Sequence, residues 1–205
     1  MAALSVFILV LALASDSRRR RTFLLFVGAV LLVCDLLPFG RIYNTATPKD
    51  MEFPKTPGIE FLKKQPGKFR IMNVGPIMPN SFAPFGIEDI GGYGSFYPSR
   101  YGEYLYLARH GLKASMPEKY SRWILFDAHL SPLIDLINTR FYLSPTGVNL
   151  NDPQLELVYE GEMNIYENRK VFPRAFFVPG FRIAGSKEEA YKMMGQFSRE
   201  DFTKM

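Results

Sequence analysis

Cysteine occurs once, at Cys34, and histidine twice, at His110 and His129. A lone cysteine excludes a disulfide framework and a thiolate metal cluster. Two histidines 19 positions apart argue against a histidine-rich metal site. Charged residues make up only 22% of the chain against 47% hydrophobic, which excludes bulk disorder. Internal repeats and low-complexity segments are absent. Gly91, Gly92 and Gly94 are not followed by Lys-Ser/Thr, so they do not make a phosphate loop. Asn168 opens Asn-Arg-Lys, which is not a glycosylation acceptor. Ser95 and Ser99 have no nearby base. No complete catalytic constellation is visible, and no metal or cofactor pattern is expected.

What the chain does have is apolar residues crowded at its front. A mean hydropathy of −0.04 hides this asymmetry. Residues 1–39 carry six charged side chains, four of them in the run Arg18, Arg19, Arg20 and Arg21. Apolar stretches at 2–14 and 23–39 flank the basic segment 15–22. The expectation is a transmembrane hairpin over 1–39, with the loop 15–22 between two helices. The second stretch reaches about 25 Å as a helix and spans with help from its flanks. The first reaches only ~20 Å and reads as the end of a longer helix. A cleaved signal peptide ending near Ala12-Leu13-Ala14 is the rival, but no positive charge precedes the apolar run.

Cytoplasmic loops hold an excess of Lys and Arg. The four arginines therefore place 15–22 inside the cell, and everything after about residue 40 outside it. Between membrane-length apolar runs, the arginines read as topology signals and not as a nucleic-acid patch. Residues 40–205 hold 21 basic and 18 acidic side chains, a normal globular balance. Segment 15–22 alone concentrates four of the chain's 25 basic residues, and nucleic acid is not an expected partner. Asp35 reads either as an intramembrane carboxylate or as an interfacial one hydrated by headgroup water.

Residues 40–58, with Pro48, Pro54 and Pro57, read as a linker. Residues 59–205 read as an extracytoplasmic α+β domain with short helices and a mostly antiparallel sheet. Helices are expected over 59–64, 99–110, 132–138 and 186–194, the last opened by the capping box Ser186 and Glu189. Strands are expected over 69–74 (FRIMNV) and 139–143 (TRFYL), with a hairpin of 155–159 and 163–166 across Gly161. One or two further strands are expected over 175–183, bent at Pro179-Gly180. The glycine-rich segment 86–95 reads as loop or tight turn, with Glu88 and Asp89 as solvated turn formers.

The most informative local feature is aromatic. Residues 81–106 hold Phe82, Phe85, Tyr93, Phe96, Tyr97, Tyr101, Tyr104 and Tyr106, with Arg100 among them. Tyrosine joins a flat apolar face to a hydroxyl, which suits stacking on sugar rings or seating at a bilayer surface. Arg100 offers a fork for phosphate or carboxylate. The candidate ligand-binding residues are Tyr93, Tyr97, Arg100 and Tyr101. The competing reading makes these aromatics the core of a small domain.

The order of several pieces carries a resemblance. LLVCDLLPFGRIYN is followed by TPGIEFLKKQPGKFRIM, FGIEDIGGYGSFYPSRYGEYL, LIDLINTRFYLSP, LELVYEGEMNIYENRKVFPRAFFV and SKEEAY. Over about residues 23–195 this order resembles the extracytoplasmic C-terminal part of YfhO-type bacterial membrane proteins. That family looks like the GT-C class of polytopic glycosyltransferases. The resemblance implies sugar transfer from a polyprenyl-phosphate donor to a cell-surface polymer. It also implies a catalytic acidic residue in the first outer loop of the whole protein. Asp35 does not occupy that position, so no catalytic residue carries over, and the chain reads as a C-terminal fragment of such an enzyme, truncated after Met205 as well. The expected partners are the lipid bilayer and a polyprenyl-phosphate sugar or surface glycan. The expected location is the cell membrane, multi-pass, with the C-terminal domain outside. The alternative is a non-enzymatic, membrane-anchored module that binds glycans or a partner protein through the aromatic stretch.

Overall fold

The computed structural model describes residues 2–44, 46–75, 77–78, 80–94, 96–113, 122–124, 130–178 and 180–203. The chain divides into two compact units, Met1–Pro54 and Lys55–Met205.

The first unit is a helical hairpin. Helix α1 spans Ala2–Leu13 and helix α2 spans Arg18–Tyr43. At ~1.5 Å per residue, α1 is about 18 Å long and α2 about 39 Å, against a bilayer core of about 30 Å. Among the described residues, α2 is the one helix long and apolar enough to cross a membrane. The expectation of two membrane-length helices is thereby corrected to one candidate, since α1 has only twelve residues. The basic segment is corrected as well. Arg18 to Arg21 are not in a loop but form the first turn of α2, with Ser17 at its N-cap position. Positive charge opposes the helix dipole there. The helix begins at Arg18 nonetheless, because arginine is a good helix former and no proline or glycine separates it from the apolar run. The helix also continues past residue 39 through Pro38 to Tyr43, so Asp35 lies about two turns inside its end. The hairpin closes tightly: a Cβ on Gly28 would lie 3.5 Å from Ile8 of α1.

The second unit is α+β around a five-stranded sheet whose strands lie in the order Glu88–Asp89, Arg70–Asn73, Thr139–Pro145, Met163–Asn168, Leu155–Glu160. Helix α3 spans Pro57–Lys63, β1 Arg70–Asn73, β2 Glu88–Asp89, β3 Gly92–Tyr93 and α4 Ser99–His110. They are followed by β4 at Trp123–Ile124, α5 at Pro132–Leu136, β5 at Thr139–Pro145, β6 at Leu155–Glu160 and β7 at Met163–Asn168. Helices α6, Lys187–Gln196, and α7, Glu200–Thr203, end the chain. The sheet is mostly antiparallel, as expected from the sequence, with a parallel part. Strand β1 lies parallel to both β2 and β5, while β7 runs antiparallel to both β5 and β6. Parallel neighbours need crossover connections. The chain supplies them between β1 and β2 through the short 3-10 turn Ala83–Phe85, and between β1 and β5 through α4 and α5.

These crossovers cover both sheet faces, as a parallel region requires. Ile71, Phe141, Leu143 and Ile165 point to one side and pack with Ile59, Leu62, Phe82 and Ile87. Met72, Tyr142 and Tyr166 point to the other and pack with Leu105, Ala108, Leu133 and Ile134. The alternation along β1 and β5 thus feeds two cores, with Tyr142 completely buried.

Segment 86–95 departs from the loop reading: Ile87 and Ile90 are buried, and the Ile90 N–H donates to the Ile71 carbonyl at 3.0 Å. Burial of these two isoleucines draws Glu88 and Asp89 into β2. Segment 175–183 departs in the opposite sense: its described residues form no strand. Its bend at Pro179 lies outside the described residues, as do Ser95 and His129.

Candidate functional site: an exposed aromatic ribbon

Strands β3 and β4 form a separate two-stranded antiparallel ribbon, with Gly92 opposite Ile124 and Tyr93 opposite Trp123. The Tyr93 and Trp123 rings lie 4.8 Å apart at 51°. Cross-strand aromatic pairs of this kind stabilise a short ribbon. Both rings also face outward, 47% and 41% exposed. Strand β3 is held on both of its edges. The Gly94 N–H donates to the Arg122 carbonyl at 3.3 Å. On the other edge the Asn80 side-chain amide imitates a neighbouring strand. Its Nδ2 donates to the Tyr93 carbonyl at 2.7 Å, and its Oδ1 accepts from the Tyr93 N–H at 3.4 Å. Asn80 sits at φ 69°, a left-handed conformation that asparagine tolerates better than most residues. Gly92 leaves room for the clamp, since a Cβ there would come within 3.3 Å of Asn80 Oδ1.

The four residues singled out from the sequence separate in role. Tyr93 stands on the ribbon and Phe96 beyond it is almost fully exposed. Tyr97 is half-buried, and burial raises its hydroxyl pKa. Arg100 is exposed in the first turn of α4. Tyr101 turns inward: it packs in the core beside α4, and its hydroxyl donates to the Ile90 carbonyl at 2.7 Å. Burial pushes its pKa up to about 12. Tyr101 therefore positions the segment before the ribbon. Tyr104 is likewise structural, donating to the Leu133 carbonyl at 2.5 Å. The topology residues Arg18, Arg19, Arg20 and Arg21 belong to the other unit and are exposed along the first turn of α2.

Trp123 and Asn80 are residues of the ribbon that the sequence reading does not single out. Trp123 is the one tryptophan of the chain, 30 positions from its partner ring. Only the antiparallel pairing brings them together.

The acidic groups nearest this region hold the structure together. Asp89 accepts from Asn73 Nδ2 at 2.5 Å and from the Gly91 N–H at 2.8 Å. Burial raises its pKa despite those bonds. Glu88 bridges Arg174 at 2.6 Å and Arg70 at 3.3 Å, and the Arg174 hydrogen bond holds its pKa low. The solvated-turn reading of this pair gives way to two anchoring roles. Glu103, buried on α4, accepts from Lys187 and from the Tyr191 hydroxyl of α6. The Lys187 bond is the main cause of its lowered pKa, to which the charge of Arg100 adds. The His110 ring lies 4.4 Å from that of Tyr106, tilted at 41°. Among the described residues no group of three His, Cys, Asp or Glu could hold a metal ion.

One groove, of about 230 Å³, lies between the end of α3 and β2, lined by Lys63, Lys68, Phe69, Phe85 and Glu88. It is smaller than the 300–1,000 Å³ or so that encloses a small molecule. The ribbon presents an open face, suited to a chain laid across it. No family model, no curated protein and no solved structure matches this chain.

Proposed function

We propose that the chain is a membrane-anchored module whose outer domain holds a saccharide on the Tyr93–Trp123 ribbon. Two exposed aromatic faces fixed side by side carry this reading. Aromatic rings stack on the apolar faces of sugar rings, and the clamp from Asn80 removes the ordering cost in advance. Helix α2 crosses the bilayer, Arg18 to Arg21 stay at the cytoplasmic side, and Lys55–Met205 lies outside. The resemblance to YfhO-type proteins makes the saccharide a polyprenyl-linked sugar or a surface polymer. Transfer chemistry then belongs to residues outside this chain. The structural engagement of Asp89, Glu103 and Asp135 favours a binding role for these 205 residues.

The test is titration of the full chain in detergent with glucose and N-acetylglucosamine oligomers. Tyr93→Ala and Trp123→Ala should each weaken binding by about 2- to 10-fold, the weight of one aromatic contact of roughly 0.5–1.5 kcal/mol. Tyr97→Ala and Arg100→Ala measure whether the site extends toward α4. Unchanged affinity in both ribbon variants, with folding retained, would sink the reading. Sidedness is tested by protease added to intact and lysed cells: an outer domain is digested in both.

A further inference from the structure

Residues 171–185 run from the end of β7 toward α6 without a strand or helix among the described positions. Within this segment Phe177 is 91% exposed, Phe181 87% and Ile183 83%, with Val178 and Phe176 also open to solvent. Five apolar side chains displayed on one loop amount to a surface feature that calls for an occupant. Charge along this stretch of sequence is of one sign. Residues 169–186 contain Arg169, Lys170, Arg174 and Arg182 and no acid. Arg169 is bridged to Glu156 and Arg174 to Glu88; Lys170 and Arg182 are exposed outside those bridges, and Arg182 is set between Phe181 and Ile183. Phenylalanine and isoleucine have no polar handle for a sugar, unlike the ribbon's tyrosine and tryptophan. Protruding apolar side chains with a basic residue between them match the boundary between anionic headgroups and acyl chains.

The chain itself brings such a surface within reach. Thirteen residues separate the end of α2 from the start of α3. That tether extends to at most ~45 Å, so the loop meets the bilayer at high effective concentration. We infer that the exposed loop carrying Phe177, Phe181, Arg182 and Ile183 inserts its apolar side chains into the surface of an anionic phospholipid bilayer. The inference rests on α2 spanning that bilayer. It uses residues separate from the glycan ribbon.

The experiment uses the full chain with Trp123→Phe and Phe177→Trp, so that the one indole reports the loop. The chain is placed in nanodiscs of phosphatidylglycerol or phosphatidylcholine, with or without bromine on the upper acyl chains. In phosphatidylglycerol the emission should shift to the blue and fall by roughly half with brominated lipid, since interfacial apolar segments sit about 5–10 Å into the headgroup–acyl boundary. Adding Arg182→Glu should reverse both effects. An indole that emits as in water and ignores bromine, in discs that retain the chain, overturns the inference alone. A blue shift without quenching means a protein or glycan covers the loop, and also overturns it. Equal quenching in phosphatidylcholine overturns the choice of an anionic surface. Loss of the chain from the discs overturns the anchor, and with it this inference.

Discussion

Asn168→Asp should turn a quiet core contact into a pH-dependent fault. Asn168 is fully buried at the end of β7, and Asp135 in α5 is 5% exposed. Asn168 Nδ2 donates to Asp135 Oδ1 at 2.5 Å, while Asn168 Oδ1 accepts the Lys170 N–H at 3.0 Å. Arg199 reaches Asp135 Oδ2 at 3.0 Å from a position 34% exposed. Burial raises the Asp135 pKa in spite of the bond from Asn168 and the charge of Arg199. The substitution replaces the donor by a second carboxyl, so the two acids must share a proton or repel. A second carboxyl beside this buried one leaves charge uncompensated, at a cost of about 3–5 kcal/mol, and the half-open Arg199, still bonded to Asp135, argues for the lower end. For a unit of this size, 3 kcal/mol lowers Tm by about 6–12 °C. The sign follows from proton binding. Near neutral pH the unfolded acids are ionised, while the folded pair retains a proton, so stability rises as pH falls toward the unfolded carboxylate range. Asn168→Ala removes the same donor without adding an acid and should cost about 2–4 kcal/mol, with no comparable recovery in acid. Urea unfolding of the full chain in detergent, followed through Trp123 emission, measures both. Equal losses for the two variants at pH 7 and pH 4.5 would refute the contact.

Asn80→Gly keeps the left-handed backbone at φ 69° without strain and deletes the clamp on Tyr93. Glycan affinity should fall by roughly fivefold, the value of about 1 kcal/mol of lost hydrogen bonding, with Tm nearly unchanged. Glu162 is pulled up by desolvation, but hydrogen bonds involving Thr56, Tyr159 and the Gly58 N–H hold its pKa at about 2. Its stabilisation is present above its ordinary value of 4.5 and is lost as pH falls toward 2, so Glu162→Gln should flatten the acid limb of an unfolding profile. Cys34 lies exposed on α2. In native membranes it should resist a charged thiol reagent and react fully once the bilayer is dissolved in detergent, as read by mass spectrometry.

Segments whose structure is decided locally could be read from the residues. Helix α4 runs from Ser99 to His110 as the periodicity of Tyr101, Leu105 and Ala108 requires. The hairpin of β6 and β7 turns at Gly161. Ser186 caps α6 by accepting the Glu189 N–H at 3.1 Å, although the Glu189 carboxylate returns to the Gly185 N–H and not to that of the cap residue. What escaped reading depends on distant partners. Strands β2, β3 and β4 are two residues each, too short for any period to show. They exist because Ile90 bonds to Ile71 and Tyr93 meets Trp123. Segment 175–183 has the apolar content of a strand, but its described residues join no ladder, so the same residues become surface. The aromatic stretch divides on the same principle. Tyr101 and Tyr104 fall on the face of α4 that meets the sheet, where each hydroxyl must find a carbonyl. Tyr93 falls on the ribbon, where its ring stays 47% exposed. Composition alone joined core and site into one cluster, and the direction of each Cβ separates them.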